Sequence, residues 1–235
     1  MPKEKNSVVY EYPRPSVTAD AVIFGYDKKE LNVLLVKRDI APFKNEWSLP
    51  GGFLHLGESA EETVNRVIKQ KTGLKNIFLE QLFTFTDKER DPRGHTISIS
   101  YFSLVNTLKM LPVAGKNVSD VCWFPLNKIP GLAFDHKKII SIACNRLKGK
   151  ISWQPVGFEL LDKKFTLSQL QHLYEIILDA EIDKRNFRKK ILQLGIVIPL
   201  NEKEYFSSKK GAELYSFNKT AYQKLVSEGF TVKII

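Results

Sequence analysis

The sequence predicts an α/β fold: a domain with a mixed sheet flanked by helices, followed by a smaller domain of two helices and a β-hairpin. Three observations predict it. Strand-like segments recur between residues 17 and 126, a capped amphipathic helix interrupts them after a Gly-Gly pair, and two further capped helices follow residue 165. We place the domains at residues 1–153 and 154–235, with the boundary in the Gly- and Pro-containing stretch 149–161.

Alternating apolar residues and polar turns predict the strands of the first domain. Residues 17–37 contain two strand-like segments separated by a polar turn, so a hairpin is expected. Residues 77–87 and 96–106 alternate in the same way, and residues 121–126 form a further short strand. Residues 134–148 carry apolar side chains at helical spacing. Strands and helices in this order indicate a mixed sheet covered by helices.

Residues 52–74 resemble the Nudix box, the motif of a family of magnesium-dependent phosphate hydrolases. Six defined positions match, and they are Gly52, Glu58, Arg66, Ile68, Gly73 and Leu74. The family has glutamates at three further positions, where this chain has Val67, Gln70 and Lys71. On a helix these three side chains share one face. Magnesium requires oxygen ligands and a lysine ammonium repels it, so this face does not suit the ion.

The helix of the motif is nevertheless expected to form. Ser59 and Glu62 have the spacing of a capping box, and Gly73 suits the position after the last helical residue. Arg66 is expected to pair with a carboxylate. The resemblance therefore implies a Nudix-like α/β/α sandwich with no catalytic residue, no metal and no cofactor.

The second domain is predicted to bind double-stranded DNA. Thr166 can cap a helix over residues 167–178, and Asp183 can cap a second helix that ends at Gly195. Two short strands follow, joined by a basic loop. This layout resembles a winged helix-turn-helix, in which the second helix enters the major groove. The residues expected to contact DNA are Lys184, Arg185, Asn186, Arg188, Lys189, Lys209 and Lys210.

Charge and composition support a protein with an anionic partner. The 235 residues carry a net charge of +10, and residues 184–210 contain eight basic and two acidic residues. No apolar run approaches the roughly 18 residues of a membrane span, and the N-terminal residues do not resemble a signal peptide. Cys122 and Cys144 lack metal-ligand spacing and are expected to be reduced thiols, so we expect a cytoplasmic protein without a membrane partner.

Over nearly its whole length the chain resembles the Nudix-related transcriptional regulators. The resemblance implies a homodimer that binds operator DNA and senses a small molecule, and we expect a repressor. The segments 65–85, 155–175 and 183–191 resemble the sugar-utilisation branch, so the main prediction is an effector such as the pentose L-arabinose. The alternative is ADP-ribose, to which members that control NAD metabolism respond.

The effector is expected beside the Nudix helix, and the candidate contacts are Arg38, Gly51, Gly52, Phe53, Glu58, Arg90, Asp91, Arg93 and His95. Phe53, Phe85 or Tyr101 could supply an aromatic wall, and the arginines suit a phosphorylated ligand. In the structural alternative, Arg38 pairs with Asp39 and Arg90 with Asp91.

Two other classes of function remain open. An active hydrolase would recruit its carboxylates from elsewhere, for example Glu58 with Glu61 or Glu62. A binding adaptor would use the basic domain for RNA or for a protein. A helix that reads the major groove of DNA should reject the A-form duplex, which separates the regulator from the adaptor.

Overall fold

The computed structural model describes residues 11–154, 157–206 and 210–229. The first part of the chain contains seven strands and two helices, which are β1 (Ser16–Tyr26), β2 (Leu31–Arg38), β3 (Trp47–Ser48), β4 (Gly51–Phe53), α1 (Ala60–Thr72), β5 (Glu80–Phe85), β6 (Thr96–Asn106), β7 (Val118–Pro125) and α2 (His136–Trp153). The second part contains β8 (Phe165–Thr166), α3 (Leu167–Leu178), α4 (Lys184–Gln193), β9 (Val197–Glu204), β10 (Ala212–Phe217) and α5 (Lys219–Ser227). None of the helices in the described ranges is long and apolar enough to cross a membrane.

Strand β1 lies at the centre of a mixed seven-stranded sheet. It pairs with β2 and β4 in antiparallel fashion and with β6 in parallel along its whole length. Successive side chains of a strand point to opposite faces. Accordingly Val22 and Phe24 join one apolar cluster with α2, while Ala21 and Ile23 join another with α1. The predicted α/β/α sandwich is confirmed.

Helix α1 begins and ends as its sequence predicts. The Ser59 side chain accepts a hydrogen bond from the backbone N–H of Glu62, and the Glu62 carboxylate accepts one from the backbone N–H of Ser59. Gly73 follows the helix with a φ of 71°, a left-handed conformation that glycine adopts without steric penalty. Both ends of the helix that carries Lys71 are therefore well defined.

Helix α2 is longer than predicted and connects the two parts of the chain. The expected helical pattern ends at residue 148, whereas α2 continues through residue 153. Gly149 does not end it, because the backbone bonds of a helix tolerate a single glycine. Helix α2 ends within the stretch proposed as the domain boundary. The boundary stays a prediction, because a single apolar cluster includes residues of β1, α2 and α3.

The second part of the chain folds as the predicted winged helix. Thr166 and Gln169 cap α3 reciprocally, and the Asp183 carboxylate accepts the backbone N–H of Asn186 at the start of α4. Tyr174 and Phe187 pack edge to face in the core between the helices, with ring centroids 5.2 Å apart. Strands β9 and β10 form the predicted hairpin, to which β8 adds a third strand. Helix α5 was not anticipated.

Candidate functional site

A cleft of about 260 Å³ lies beside α1, close to the lower end of the size range of ligand pockets. Its walls come from β1, the end of β2, β4, α1, the loop after β5, the segment before β7 and the start of α2. Seven of the nine predicted effector residues line it, namely Arg38, Gly51, Gly52, Phe53, Arg90, Asp91 and Arg93. The tertiary structure thus collects residues that are up to 55 positions apart in the chain.

Glu58 and His95 are not among the lining residues. Arg66 donates hydrogen bonds to both carboxylate oxygens of Glu58, at 2.7 and 2.8 Å, and the Thr63 hydroxyl donates another at 2.9 Å. The arginine bonds lower the pKa of Glu58 to about 2. The expected pairing of Arg66 is confirmed, and Glu58 is correspondingly unavailable as a ligand contact. His95 is exposed, and its backbone carbonyl accepts the N–H of Ser16 at the start of the sheet.

The two glycines before the box are required by close packing. A Cβ atom on Gly51 would lie 1.6 Å from Oδ1 of Asp20, and one on Gly52 would lie 2.9 Å from a methyl group of Val67. Asp20 is buried and accepts a hydrogen bond from the Ser98 hydroxyl at 2.5 Å, so its carboxylate has little freedom to move. The glycines allow β4 to approach both β1 and α1, which narrows the cleft.

Arg38 and Arg90 do not pair with the aspartates that directly follow them in sequence. Arg90 donates to both oxygens of Asp135, at 3.0 and 2.7 Å, and Arg93 donates to both oxygens of Asp91, at 2.9 and 2.7 Å. Arg38 donates through Nε to the carbonyl of Pro42 at 2.8 Å. The expected pairs of Arg38 with Asp39 and of Arg90 with Asp91 are therefore wrong. Bidentate pairing of this kind fixes the orientation of both partners.

Two phenylalanines supply the aromatic wall, and only one of them was anticipated. The guanidinium of Arg93 lies 4.6 Å from the ring centroid of Phe53 and 5.4 Å from that of Phe134. Phe85 and Tyr101, the other two candidates, are buried in the apolar clusters on the two faces of the sheet. No local sequence pattern distinguishes Phe134, because it reaches the cleft through the loop that leads into α2.

The candidate DNA-binding surface is the outer face of α4. Lys184, Arg185, Asn186 and Lys189 are exposed there. Arg188 is half-buried and therefore less exposed than predicted.

Arg188 instead contacts α3. Its Nη2 donates to the Ser168 hydroxyl at 2.9 Å, and its Nε is buried without a hydrogen-bond partner in the described part of the chain. On the loop of the hairpin, Lys210 is exposed, whereas Lys209 lies outside the described residues. Tyr205 and Phe206 are also exposed at this loop, and the charge pattern used for prediction did not single them out.

Comparison with known families identifies both parts of the chain. A model of the NUDIX domain matches residues 14–141, and a model of the NrtR DNA-binding winged helix domain matches residues 157–217. The chain belongs to the NrtR family of Nudix-related transcriptional regulators. The family resemblance predicted from the sequence is confirmed. Residues 142–156, which contain most of α2, lie between the two matches.

Individual relatives of this NrtR-family chain come from bacteria and an archaeon. The ADPR responsive transcriptional repressor NtrR of Acinetobacter baylyi is 33% identical over 211 residues, which are 88% of this chain and 84% of the relative. An ADP-ribose pyrophosphatase of Methanocaldococcus jannaschii is 41% identical over 129 residues, 55% of this chain and 73% of the enzyme. The second similarity is thus confined to roughly half of this chain.

Two crystal structures of NrtR from Shewanella oneidensis are also similar. The protein in complex with a 27mer DNA superposes with a TM-score of 0.75 at 35% identity, covering 88% of this chain and 95% of that chain. Its NUDIX domain in complex with ADP ribose superposes with a TM-score of 0.53 at 38% identity, covering 58% of this chain and 90% of that chain.

The magnesium ion that the Nudix fold implies does not fit this cleft. Val67, Gln70 and Lys71 all face it from α1, where the family has glutamates. Across the described ranges, no three His, Cys, Asp or Glu side chains are grouped as metal ligands would be. Burial, followed by the charge of Arg38, lowers the pKa of Lys71 to about 8, although the Asp20 carboxylate opposes this. A hard cation would meet an amide, a methyl surface and an ammonium.

His136, the first residue of α2, is a cleft residue that the sequence did not reveal. Its Nδ1 accepts the backbone N–H of Leu49 at 2.9 Å, so the ring proton is on Nε2, which lies 3.9 Å from Oδ1 of Asp20. Burial lowers the pKa of His136 to about 4, which keeps the ring neutral at physiological pH. The Leu49 bond also ties the start of α2 to the floor of the cleft.

Proposed function

We propose that this NrtR-family chain is a transcriptional repressor that binds operator DNA through its winged helix and is released when its Nudix domain binds ADP-ribose. The observation that carries the proposal is the charge of the cleft. Arg38, Lys71 and Arg93 face the space where a hydrolase of this fold collects carboxylates. A cationic cleft favours an anionic effector over a neutral sugar. The alternative prediction, ADP-ribose, is therefore preferred to L-arabinose, for which the relatives provide no support.

The chemistry of the remaining lining residues also suits a nucleotide. Phe53 and Phe134 present aromatic surfaces on which an adenine ring can stack. Asp20 and the neutral ring of His136 offer an acceptor and a donor for ribose hydroxyl groups. The ADP-ribose named for the A. baylyi relative and for the S. oneidensis domain complex agrees with this choice.

Binding of DNA is proposed through the exposed face of α4. Its cations Lys184, Arg185 and Lys189 and the amide of Asn186 belong to the helix that enters the major groove in proteins of this layout. The DNA complex of S. oneidensis NrtR supports the assignment. We expect a homodimer, because two recognition helices one turn of DNA apart are the usual means of reading a palindromic operator.

Helix α2 offers a physical connection between effector and DNA. Its first residue, His136, lies in the cleft, and Asp135 just before it holds Arg90. The apolar cluster that α2 shares with the sheet continues into α3. An effector that binds one position of α2 more tightly than another would shift the winged helix with it. The shift is limited by the difference in affinity between the two states, and DNA must alter effector affinity by the same factor.

Hydrolysis is the second candidate, because the relative from M. jannaschii is an ADP-ribose pyrophosphatase. The side chains argue against it. Glu58 is held by Arg66, and Glu62 accepts the backbone N–H of Ser59 at the helix start. We therefore propose that this chain is not an enzyme. Magnesium-dependent turnover of ADP-ribose at ordinary enzymic rates would overturn that part of the proposal.

The decisive test is fluorescence anisotropy of the purified chain on the DNA that flanks its own gene, at fixed salt because affinity for DNA depends steeply on it. We expect tighter binding to this DNA than to random DNA, and release by ADP-ribose but not by L-arabinose. Arg185→Ala should weaken specific binding, whereas Lys75→Ala, an exposed lysine beyond α1, serves as the matched control. Release by L-arabinose alone would contradict the effector assignment. Equal binding to operator DNA and to random RNA would favour the adaptor.

A further inference from the structure

The Lys71 ammonium lies in an unusual environment for a cation. The side chain is mostly removed from solvent, and it is close enough to Arg38 and Arg93 to be repelled by both. Within residues 11–154, 157–206 and 210–229, the Lys71 ammonium forms no hydrogen bond or ion pair. A half-buried charge without a hydrogen-bond partner is costly, and the attraction of the Asp20 carboxylate offsets only part of that cost. Such a group is stabilised when an anion enters the cleft.

The cleft as a whole carries a surplus of positive charge. Two of its lining arginines are neutralised from outside, Arg66 by Glu58 and Arg90 by Asp135. The cations that remain are Arg38, Lys71, Arg93 and Lys116, and the carboxylates among the lining residues are Asp20 and Asp91. His136 is neutral at physiological pH. Four cations and two carboxylates give the cleft a net charge of +2. A diphosphate diester carries a charge of −2 and would neutralise it.

The backbone holds the two lysines in place. The N–H of Gly115 donates to the carbonyl of Lys71 at 3.1 Å, and the N–H of Lys116 donates to the carbonyl of Gln70 at 2.9 Å. A Cβ on Gly115 would lie 2.0 Å from the Gln70 carbonyl oxygen, so only glycine permits this approach. The segment therefore satisfies carbonyls at the end of α1 and brings Lys116 to the same edge of the cleft as Lys71.

We propose that Lys71, with Arg38 and Arg93, binds the diphosphate of ADP-ribose in place of the magnesium used by hydrolases of this fold, so that the effector binds without a divalent cation. The inference rests on the proposed function, since it concerns the same cleft and ligand. The family's carboxylates recruit a metal to bridge to phosphate. In this chain the same helix face contacts the phosphate directly, and the ligand is held without a metal-activated nucleophile.

The test is calorimetric titration of the full chain with ADP-ribose, first in excess EDTA and then with magnesium. We expect the same affinity in both buffers. Lys71→Met keeps the apolar stem and removes the charge, and it should weaken binding about ten- to hundredfold, the range for hydrogen bonds to a charged group. Lys69→Met, an exposed position on the same helix and outside the cleft, should bind as the wild type does. Lys71→Arg should retain most of the affinity.

A thermal unfolding scan of each variant accompanies the titration. Without ligand, Lys71→Met should unfold at a higher temperature than the wild type, because it removes a half-buried ammonium that lacks a hydrogen-bond partner. A variant that binds more weakly but folds well excludes general damage to the fold. If ADP-ribose binds only with magnesium, the inference is overturned and the proposed function still stands. The same conclusion follows if Lys71→Met binds ADP-ribose as tightly as Lys69→Met does. Absence of ADP-ribose binding in both buffers would overturn the proposed function as well.

Discussion

Gly51→Ala tests whether close packing between β4 and β1 shapes the cleft. The added methyl group would lie 1.6 Å from Oδ1 and 2.7 Å from Cγ of Asp20, well inside van der Waals contact. Asp20 cannot rotate away cheaply, because Thr18 at 3.2 Å and Ser98 at 2.5 Å both donate to its other oxygen in a buried site. Overpacking of this kind lowers the free energy of unfolding by about 1–3 kcal/mol. For a chain of this size the melting temperature should fall by about 2–12 °C.

The assay is urea unfolding followed by circular dichroism, with a thermal scan and an ADP-ribose titration of the same samples. Gly131→Ala is the matched control, because nothing lies within 4 Å of its added Cβ, and it should stay within about 0.5 kcal/mol of the wild type. Asp20→Ala should relieve part of the loss in the Gly51→Ala background, with a coupling energy of about 0.5–3 kcal/mol. If Gly51→Ala is as stable as Gly131→Ala and binds ADP-ribose normally, the packing argument is wrong.

Three further predictions concern titration, capping and the contact between the winged-helix helices. ADP-ribose affinity should fall by up to about tenfold per pH unit above pH 8. The pKa of Lys71 is about 8 in the free chain, so its ammonium loses a proton there that it keeps while the diphosphate is bound. Titrations from pH 7 to 10 measure this dependence, and Lys71→Met should lack it. Over the same range the free energy of unfolding should rise, since the unfolded chain binds the proton more tightly. Thr166→Ala should cost about 1 kcal/mol of stability in urea unfolding, by removing the cap of α3. Arg188→Ala should lower the free energy of unfolding by about 1 kcal/mol and also lower DNA affinity, because it removes the hydrogen bond to Ser168. Arg185→Ala should lower DNA affinity alone. An unchanged melting temperature for Arg188→Ala would show that the contact with Ser168 does not stabilise the domain.

Local features of the molecule were accessible from the sequence because their physical causes are local. The reciprocal caps of α1 and α3 depend on residues three positions apart, and the β1–β2 hairpin on alternation around one turn. The core face of α4 follows from helical spacing. The DNA-binding layout could be predicted from the same kind of pattern. The direction of Arg188 could not, since Ser168 lies 20 residues away on another helix.

The cleft also depends on contacts between distant parts of the chain, which local sequence patterns do not reveal. Gly51, Gly52 and Phe53 could be placed at the cleft from the sequence, because they belong to the turn that leads into the box. Phe134 and His136 could not, because they enter only when the start of α2 packs over Leu49, 87 positions earlier. Likewise, the partner of Arg90 is Asp135 rather than its neighbour Asp91.

The sequence by itself determined that this chain carries a Nudix helix without its metal ligands, a capped pair of helices with a basic outer face, and a cationic balance. These features follow from residue type and from spacings of three or four residues. Over such short distances the backbone geometry of a helix or strand determines which side chains lie close together. Only the tertiary structure decided which charges are neutralised and which face the cleft. Ion pairs such as Arg66 with Glu58 and Arg90 with Asp135 depend on distances in space, and they show that Lys71 is a half-buried cation of the cleft that no carboxylate in the described residues pairs with.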